Sequence, residues 1–212
     1  YREPTVEAIF DVASDRRFSF GELNARSNKM ANALTSIGVA PGDRVGLLLM
    51  NGVEFVETFF AAAKIGAVNV PLNVRLIAEE LEFILKDSGT SVLIFSEEFA
   101  AVCAELASRG DRTDITTWIQ VGGTPADGVL EYNEWVDIAA DTEIESTASG
   151  DDYAFIMYTS GTTGLPKGVI HSHDTVMWSL LTGTASLDFR LGDRFLNSLP
   201  LFHVGALNPV LA

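Results

Sequence analysis

The stretch YTSGTTGLPKGV, Tyr158–Val169, gathers four aliphatic hydroxyls, three glycines, a proline and a lysine into twelve residues. On either side lie YAFIMY (153–158) and GVIHS (168–172), short apolar runs of the kind that form strands. A polar, glycine-rich loop therefore joins two strands. A plain surface turn needs one or two such features; this loop carries nearly all of them at once.

The composition points to an anion. Gly161, Gly164 and Gly168 permit backbone dihedrals that bring N–H groups close to a ligand. Consecutive amides in such a turn form an anion-binding concavity. Thr159, Ser160, Thr162 and Thr163 add hydroxyl donors, and Lys167 adds a mobile positive charge. So many donors suit the several phosphate oxygens of a triphosphate better than one carboxylate. The Walker loop is excluded, because Lys167 lies between Pro166 and Gly168 and a strand follows rather than a helix. No G-x-G-x-x-G dinucleotide fingerprint occurs.

Upstream, the chain alternates. FSFGELNARSNKMANALTSIG opens with Ser19 and Glu22 at capping-box spacing, with Phe18 and Leu23 placed as a hydrophobic staple. Leu23, Met30, Leu34 and Ile37 form a helical stripe that Gly38 stops. Then come the strand RVGLLLM, the helix GVEFVETFFAAAKIG, the strand AVNVPL, the helix AEELEFILKDSG, the strand SVLIF, a helix around Cys103 and the strand TTWIQV. This rhythm predicts an α/β fold with a mostly parallel sheet flanked by helices. Residues 1–121 read as a first α/β subdomain. Residues 122–150, polar and turn-rich around LEYNEWVDIAA, read as a surface excursion or junction. Residues 151–212 carry the loop, a helix HDTVMWSLLTGTASL, and an expected strand RFLNSL leading into PLFHVGA.

Composition narrows the classes of function. The chain has 212 residues, 47% of them hydrophobic, enough for a substantial core. Lys and Arg number 14 against 29 Asp and Glu, a net charge of −15. That field repels nucleic acid and anionic membrane, so neither is an expected partner. Cys103, the single cysteine, allows no internal disulfide, which suits a reducing cytoplasm; it reads as a structural thiol. No run approaches the roughly 18–20 apolar residues of a membrane span, and no residues have structural-metal spacing. The start lacks Met and a signal peptide, and the end stops in an apolar stretch. The expectation is a piece of a longer protein, exposing apolar surface that invites self-association into a homo-oligomer.

The loop resembles the signature of the adenylate-forming superfamily, which includes acyl-CoA synthetases, aryl-CoA ligases, beetle luciferases and peptide-synthetase adenylation domains. KIGAVNVPLNVRLIAEELEFILKDSGTSVLI (64–94) is similar to the family's upstream segment, and PLFHVGAL (200–207) to its acyl-pocket motif. The resemblance implies that Thr159, Ser160, Gly161, Thr162, Thr163, Gly164 and Lys167 wrap the β- and γ-phosphates of ATP with its Mg²⁺. Thr163 and Lys167 then assist catalysis as a carboxylate attacks the α-phosphorus and pyrophosphate leaves. His203 is placed as a gate at the acyl pocket, serving the carboxylate and then the thiol route. Phe202, Val204, Gly205 and Ala206 begin the wall.

The family's remaining motifs and its C-terminal domain lie downstream and are absent from this chain. Alone, it is expected to complete neither half-reaction and to hold ATP weakly. Asn73 stands where amino-acid-activating domains tend to carry Asp, which favours an acid–thiol ligase using coenzyme A and a fatty acid. The alternatives are an aryl-CoA ligase, an acyl-AMP ligase, an amino-acid adenylation domain, a luciferase-like enzyme or a non-catalytic nucleotide-binding module. His171 and His173 read as structural histidines beside Ser172, a candidate helix N-cap. Tyr158 reads as a strand end that packs, Trp178 as core and Arg75 as a surface or structural residue.

Overall fold

The computed structural model describes residues 3–146, 148–159, 164–187, 190 and 192–211. The expectations for Ser160, Gly161, Thr162 and Thr163 therefore lie outside the described residues.

A small antiparallel hairpin, β1 (Glu7–Asp11) and β2 (Arg16–Ser19), opens the chain. Helix α1 (Phe20–Ser36) follows, and its capping box is complete: Ser19 Oγ accepts from Glu22 N, and Glu22 Oε2 accepts from Ser19 N at 2.8 Å. Gly38 (φ +90°) closes the helix, with Gly38 N–H donating to Thr35 O and Val39 N–H to Leu34 O, a Schellman arrangement. Each cap contributes about 1 kcal/mol. Local sequence chemistry thus sets both helix ends.

The principal sheet is built from β3 (Arg44–Leu48), β4 (Val68–Pro71), β5 (Thr90–Ser96), β6 (Thr117–Val121), β7 (Leu130–Glu131), β8 (Tyr153–Thr159) and β9 (Lys167–Ser172). Among the described residues its order is β7-β6-β5-β3-β4-β8-β9. Every pairing is parallel except β8–β9. Helices α2 (Val53–Lys64), α3 (Ala78–Ser88) and α4 (Ala100–Ser108) are the crossovers. Strand β3 buries Val45 to Leu48 and β4 buries all four of its residues, because helices cover both faces. The core accordingly forms two clusters, one centred on Met30, Leu34, Phe55 and Phe155, the other on Leu72, Leu81, Leu85 and Leu93. Fully burying each such side chain contributes roughly 1.5–3 kcal/mol.

Residues 122–150 do more than their polar composition foretells. They add β7 to the sheet edge, and α5 (Tyr132–Asp137) buries Tyr132 completely. There the Tyr132 hydroxyl donates to Glu57 Oε1 at 2.6 Å. Glu57, itself fully buried, is held by both arms of the Arg26 guanidinium. Extended residues 140–143 are then fastened to α1 by Asn24, Asn28 and Asn32, spaced one turn apart. Their Nδ2 groups donate to Glu143 Oε2 and to the carbonyls of Ala140, Asp141 and Thr142.

Two expectations near the end need correction. RFLNSL forms no strand: residues 194–199 are irregular, and the backbone at Leu199 and Leu201 pairs with the Asn51 side chain instead of a strand. After PLFH begins a helix not foreseen in the sequence, α7 (Val204–Leu211), which contains Pro209 and buries Ala206 and Leu207. Helix α6 (His173–Leu187) forms as expected, capped by Ser172 Oγ accepting from Thr175 N at 3.2 Å. It buries none of its side chains, and Trp178 is 69% exposed rather than core. No helix among the described residues is long and apolar enough to cross a membrane.

Candidate active site

The strands β8 and β9 bring the two ends of the signature loop together. Their antiparallel register runs from Tyr153↔Ser172 to Thr159↔Lys167, so Thr159 and Lys167 face each other where residues 160–166 leave the sheet. The Lys167 side chain is exposed and makes no ion pair among the described residues. Most other cations here are engaged by carboxylates; Arg109, for example, holds Glu79, Glu82 and Glu105. On a chain of net charge −15, a solvent-facing ammonium at a loop mouth is a local positive feature available to an anion.

The two described glycines of the loop act differently. Gly164 has φ +119°, a conformation that L side chains rarely adopt, with open space around it. Gly168 sits in regular β-structure, contrary to the expectation that its dihedrals matter. A Cβ there would lie 2.8 Å from Ile156 Cγ2 and 3.1 Å from Tyr158 Cζ. Its role is space: the ring of Tyr158 lies across it.

The histidines separate as well. His171 stacks on Phe155, with centroids 4.4 Å apart and planes at 19°, and burial lowers its pKa. The backbone N–H of His173 donates to Asp152 O at 3.0 Å, fixing the start of α6. His203 is exposed at the entrance to α7, its carbonyl accepting from Ala206 N and Leu207 N at 3.0 Å. Val204 and Gly205 are exposed beside it, whereas Phe202 and Ala206 turn into the core. His203, Val204 and Gly205 are thus left exposed, whereas Phe202 and Ala206 are spent on packing. Cys103 is buried and its thiol is pushed up to about 12, which removes it as a nucleophile. Arg75 is exposed.

One residue that the sequence reading passed over places the His203 turn. Asn51, just after β3, donates through Nδ2 to Leu199 O at 2.8 Å and accepts at Oδ1 from Leu201 N at 2.8 Å. This two-point clip ties PLFH to the end of β3. Asn197 Nδ2 adds a bond to Ala206 O at 3.1 Å, and Asn208 Nδ2 reaches Ser179 Oγ of α6 at 2.9 Å. Helix α6 thus links the loop-bearing hairpin to the His203 turn. An asparagine after a strand, followed by glycine, is the one sequence signal that could have marked Asn51. Two surface hollows, of about 280 and 240 Å³, lie elsewhere: one between α1 and α5, the other beside Val39, Ser91 and Thr116.

A mostly parallel sheet that ends in the antiparallel hairpin β8–β9 places this chain among α/β domains. Solved structures agree. The N-terminal domain of FACL13 from Mycobacterium tuberculosis, bound to an inhibitor, superposes with TM-score 0.91 at 42% identity, covering 99% of this chain and 51% of that one. ATP-bound MatB from Rhodopseudomonas palustris gives TM-score 0.83 at 28% identity, covering 96% and 39%. The chain belongs to the AMP-binding enzyme family, whose sequence model matches residues 1–212. Among curated relatives, the long-chain-fatty-acid–CoA ligase FadD13 of M. tuberculosis is 42% identical over 209 residues, 98% of this chain and 40% of its own. Feruloyl-CoA synthase from an Amycolatopsis species is 39% identical over 193 residues, 91% and 36%. This chain thus spans about 40% of the length of such relatives.

Proposed function

We propose that this chain supplies the ATP phosphate loop of an acid–thiol ligase that activates a fatty acid. A carboxylate oxygen of the acid attacks the α-phosphorus of MgATP, the bond to the bridging oxygen breaks, and pyrophosphate leaves with its electron pair. The thiol of coenzyme A then attacks the acyl carbon of the adenylate, losing its proton, and AMP departs. Thr159 to Lys167 hold the β- and γ-phosphates, Ser160, Gly161, Thr162 and Thr163 through hydroxyl and amide donors and Lys167 through its ammonium. Mg²⁺ enters with the nucleotide as part of the substrate. His203 stands at the acyl entrance, with Val204 and Gly205 beside it.

The observation that carries this reading is the hairpin itself. It closes residues 160–166 between Thr159 and Lys167, and leaves Lys167 exposed and without an ion-pair partner among the described residues. Attack by one anion on another needs positive charge and donors at the leaving group, and preorganised donors supply them without reorganisation. The long-chain-fatty-acid–CoA ligase among the relatives supports a fatty acid and coenzyme A as co-substrates.

The test is acid-dependent ATP–pyrophosphate exchange by the full encoded protein across a panel of fatty and aromatic acids. Exchange is expected with medium- or long-chain acids. Lys167→Ala should slow it by about 10²–10³-fold, the size of losing one oxyanion-type donor, while the thermal midpoint stays put. An unchanged rate removes Lys167 from the mechanism, and exchange with no acid in the panel sinks the assignment.

A further inference from the structure

The hairpin that carries the loop is anchored in the core at its root, through Ala154, Phe155 and Met157, and runs past its neighbouring strand at its tip. Strand β8 meets β4 at one register pair, Asn69↔Phe155. Beyond Phe155 it runs four residues to Thr159, an overhang of roughly 13 Å at strand rise. Because Met157 is also buried, the freedom left to the ribbon is confined to its tip, Tyr158 and Thr159 with Gly168 and Lys167 opposite.

A single side chain counters that freedom. Tyr158 donates its hydroxyl to Asp87 Oδ2 at 2.6 Å, across 71 residues of sequence. It joins the tip of the hairpin to the end of α3, where Ser88 also acts on the same hydroxyl. The distance is that of a charge-assisted O–H···O⁻ bond. Burial, then the bond to Asp87, hold the Tyr158 hydroxyl above its ordinary pKa against a smaller lowering by Ser88, which favours the protonated, donating form.

The acceptor sits on a fixed base. Asp87 lies in the last turn of α3. There Arg44 Nε donates to Ser88 O at 2.7 Å and Arg44 Nη2 to Gly89 O at 2.8 Å. Ser88 Oγ is bonded to Ile84 O and to Thr90 Oγ1, both at 2.7 Å. Gly89 is left-handed (φ +63°), with the Arg44 guanidinium occupying the place of a Cβ. On the hairpin side, the Tyr158 ring spans Gly168, its cross-strand partner. Tyr158 therefore grips β8 covalently, β9 through its ring and α3 through its hydroxyl.

We propose that the Tyr158–Asp87 bond is a latch that fixes Thr159 and Lys167, the two ends of the signature loop, making Tyr158 a positioning residue for phosphate binding rather than a phosphate ligand. The proposal rests on the phosphate reading above. Its kinetic signature follows from preorganisation. If the latch opens, only a fraction of molecules present the loop correctly, and apparent ATP affinity falls by that fraction. Once ATP is bound the loop is in place, so turnover at saturation is retained.

The experiment uses acid-dependent ATP–pyrophosphate exchange by the full encoded protein, with MgATP varied. Tyr158→Phe and Asp87→Ala should each raise KM for MgATP about tenfold, the equivalent of one hydrogen bond of ~1.4 kcal/mol. Each should leave kcat within about threefold. The double variant should be no worse than either single one, because both remove the same bond. Asp87→Asn, which keeps an acceptor oxygen, should recover most of the affinity. An unchanged KM, additive losses in the double variant, or a kcat loss equal to the KM effect would each overturn the latch. A fall in thermal midpoint without a KM change would reduce Tyr158 to a packing residue. Should the parent protein show no exchange, the phosphate reading fails first and the latch falls with it. Asp87 is exposed, so its variants keep the test informative even if Tyr158→Phe folds poorly.

Discussion

The first 137 residues and the segment from Lys167 onward are held by different means. In the front, α1, α2 and α5 close over a network in which buried Glu57 and Tyr132 meet the half-buried Arg26, and β3, β4 and β5 are buried almost throughout. In the back, α6 buries none of its side chains, and Met177, Trp178 and Leu181 are 55%, 69% and 53% exposed. The back packs into the core through Leu201, Phe202, Ala206 and Leu207, and is otherwise tied by discrete polar contacts. These run from Asn51 to the PLFH turn and from Asn208 to α6, with the Tyr158–Asp87 bond holding the strand paired to β9. The difference teaches that stability resides in the front and presentation of the candidate site in the back. A substitution in one region should spare the property that belongs to the other.

The strongest challenge to that division is Glu57→Ala. It leaves the half-buried Arg26 and the fully buried Tyr132 hydroxyl without their shared acceptor. Breaking a buried pair costs about 3–5 kcal/mol, the lower end applying to a half-buried cation. Urea denaturation should show that loss; a change under ~1 kcal/mol would mean the network is not what holds α1, α2 and α5 together. Next in size is Gly168→Ala, whose methyl would meet Ile156 and the Tyr158 ring. Overpacking of that kind costs about 1–3 kcal/mol. Its strain should surface as lost amide protection in β8 and β9 before the front half is affected.

A pair of helix caps sharpens the contrast further. Ser19→Ala and Ser172→Ala delete equivalent N-cap bonds, each worth about 1 kcal/mol. The first should lower the global denaturation midpoint. The second should act mainly on hydrogen exchange within α6, a helix that can open by itself. Equal global effects would erase the distinction between the regions.

The smallest effect concerns pH. Bonds from Asn24, Lys64 and Asn28 hold the Glu143 carboxyl down at about 2, from an ordinary 4.5. A depressed carboxylate contributes stability that is present above the unfolded value and lost as pH falls through the folded one. Glu143→Gln should therefore differ from the parent above pH 4.5 and converge with it as pH falls to about 2. A constant difference across that range would show that the strap 140–143 is not held by this charge. Depressed by burial, His171 should add a weak loss of stability as pH falls below its ordinary 6.5.

The elements legible in the sequence were those whose signal is local. The Ser19–Glu22 box, the Gly38 stop and the apolar runs of β3 to β6 each reveal their conformation within a few residues. Strand β7 is two residues long and Tyr132 is buried by a partner 75 positions away, so neither leaves a periodic trace. Helix α7 hides behind Pro209, which removes a backbone donor, and behind Gly205 and Asn208. RFLNSL has the apolar content of a strand, yet Phe195 and Leu196 are 56% and 79% exposed and the neighbouring backbone is satisfied by Asn51. The candidate site divides in the same way. Its loop is contiguous and chemically unusual, hence readable, whereas Asn51 and Asp87 act across 148 and 71 residues through ordinary side chains.

The most direct measurement is a crystal structure of the full encoded protein with MgATP. The β- and γ-phosphate oxygens should lie within about 3 Å of the backbone N–H groups of residues 160–166 and of Lys167 Nζ. Nucleotide bound at another surface, with Lys167 directed into solvent, would contradict the account.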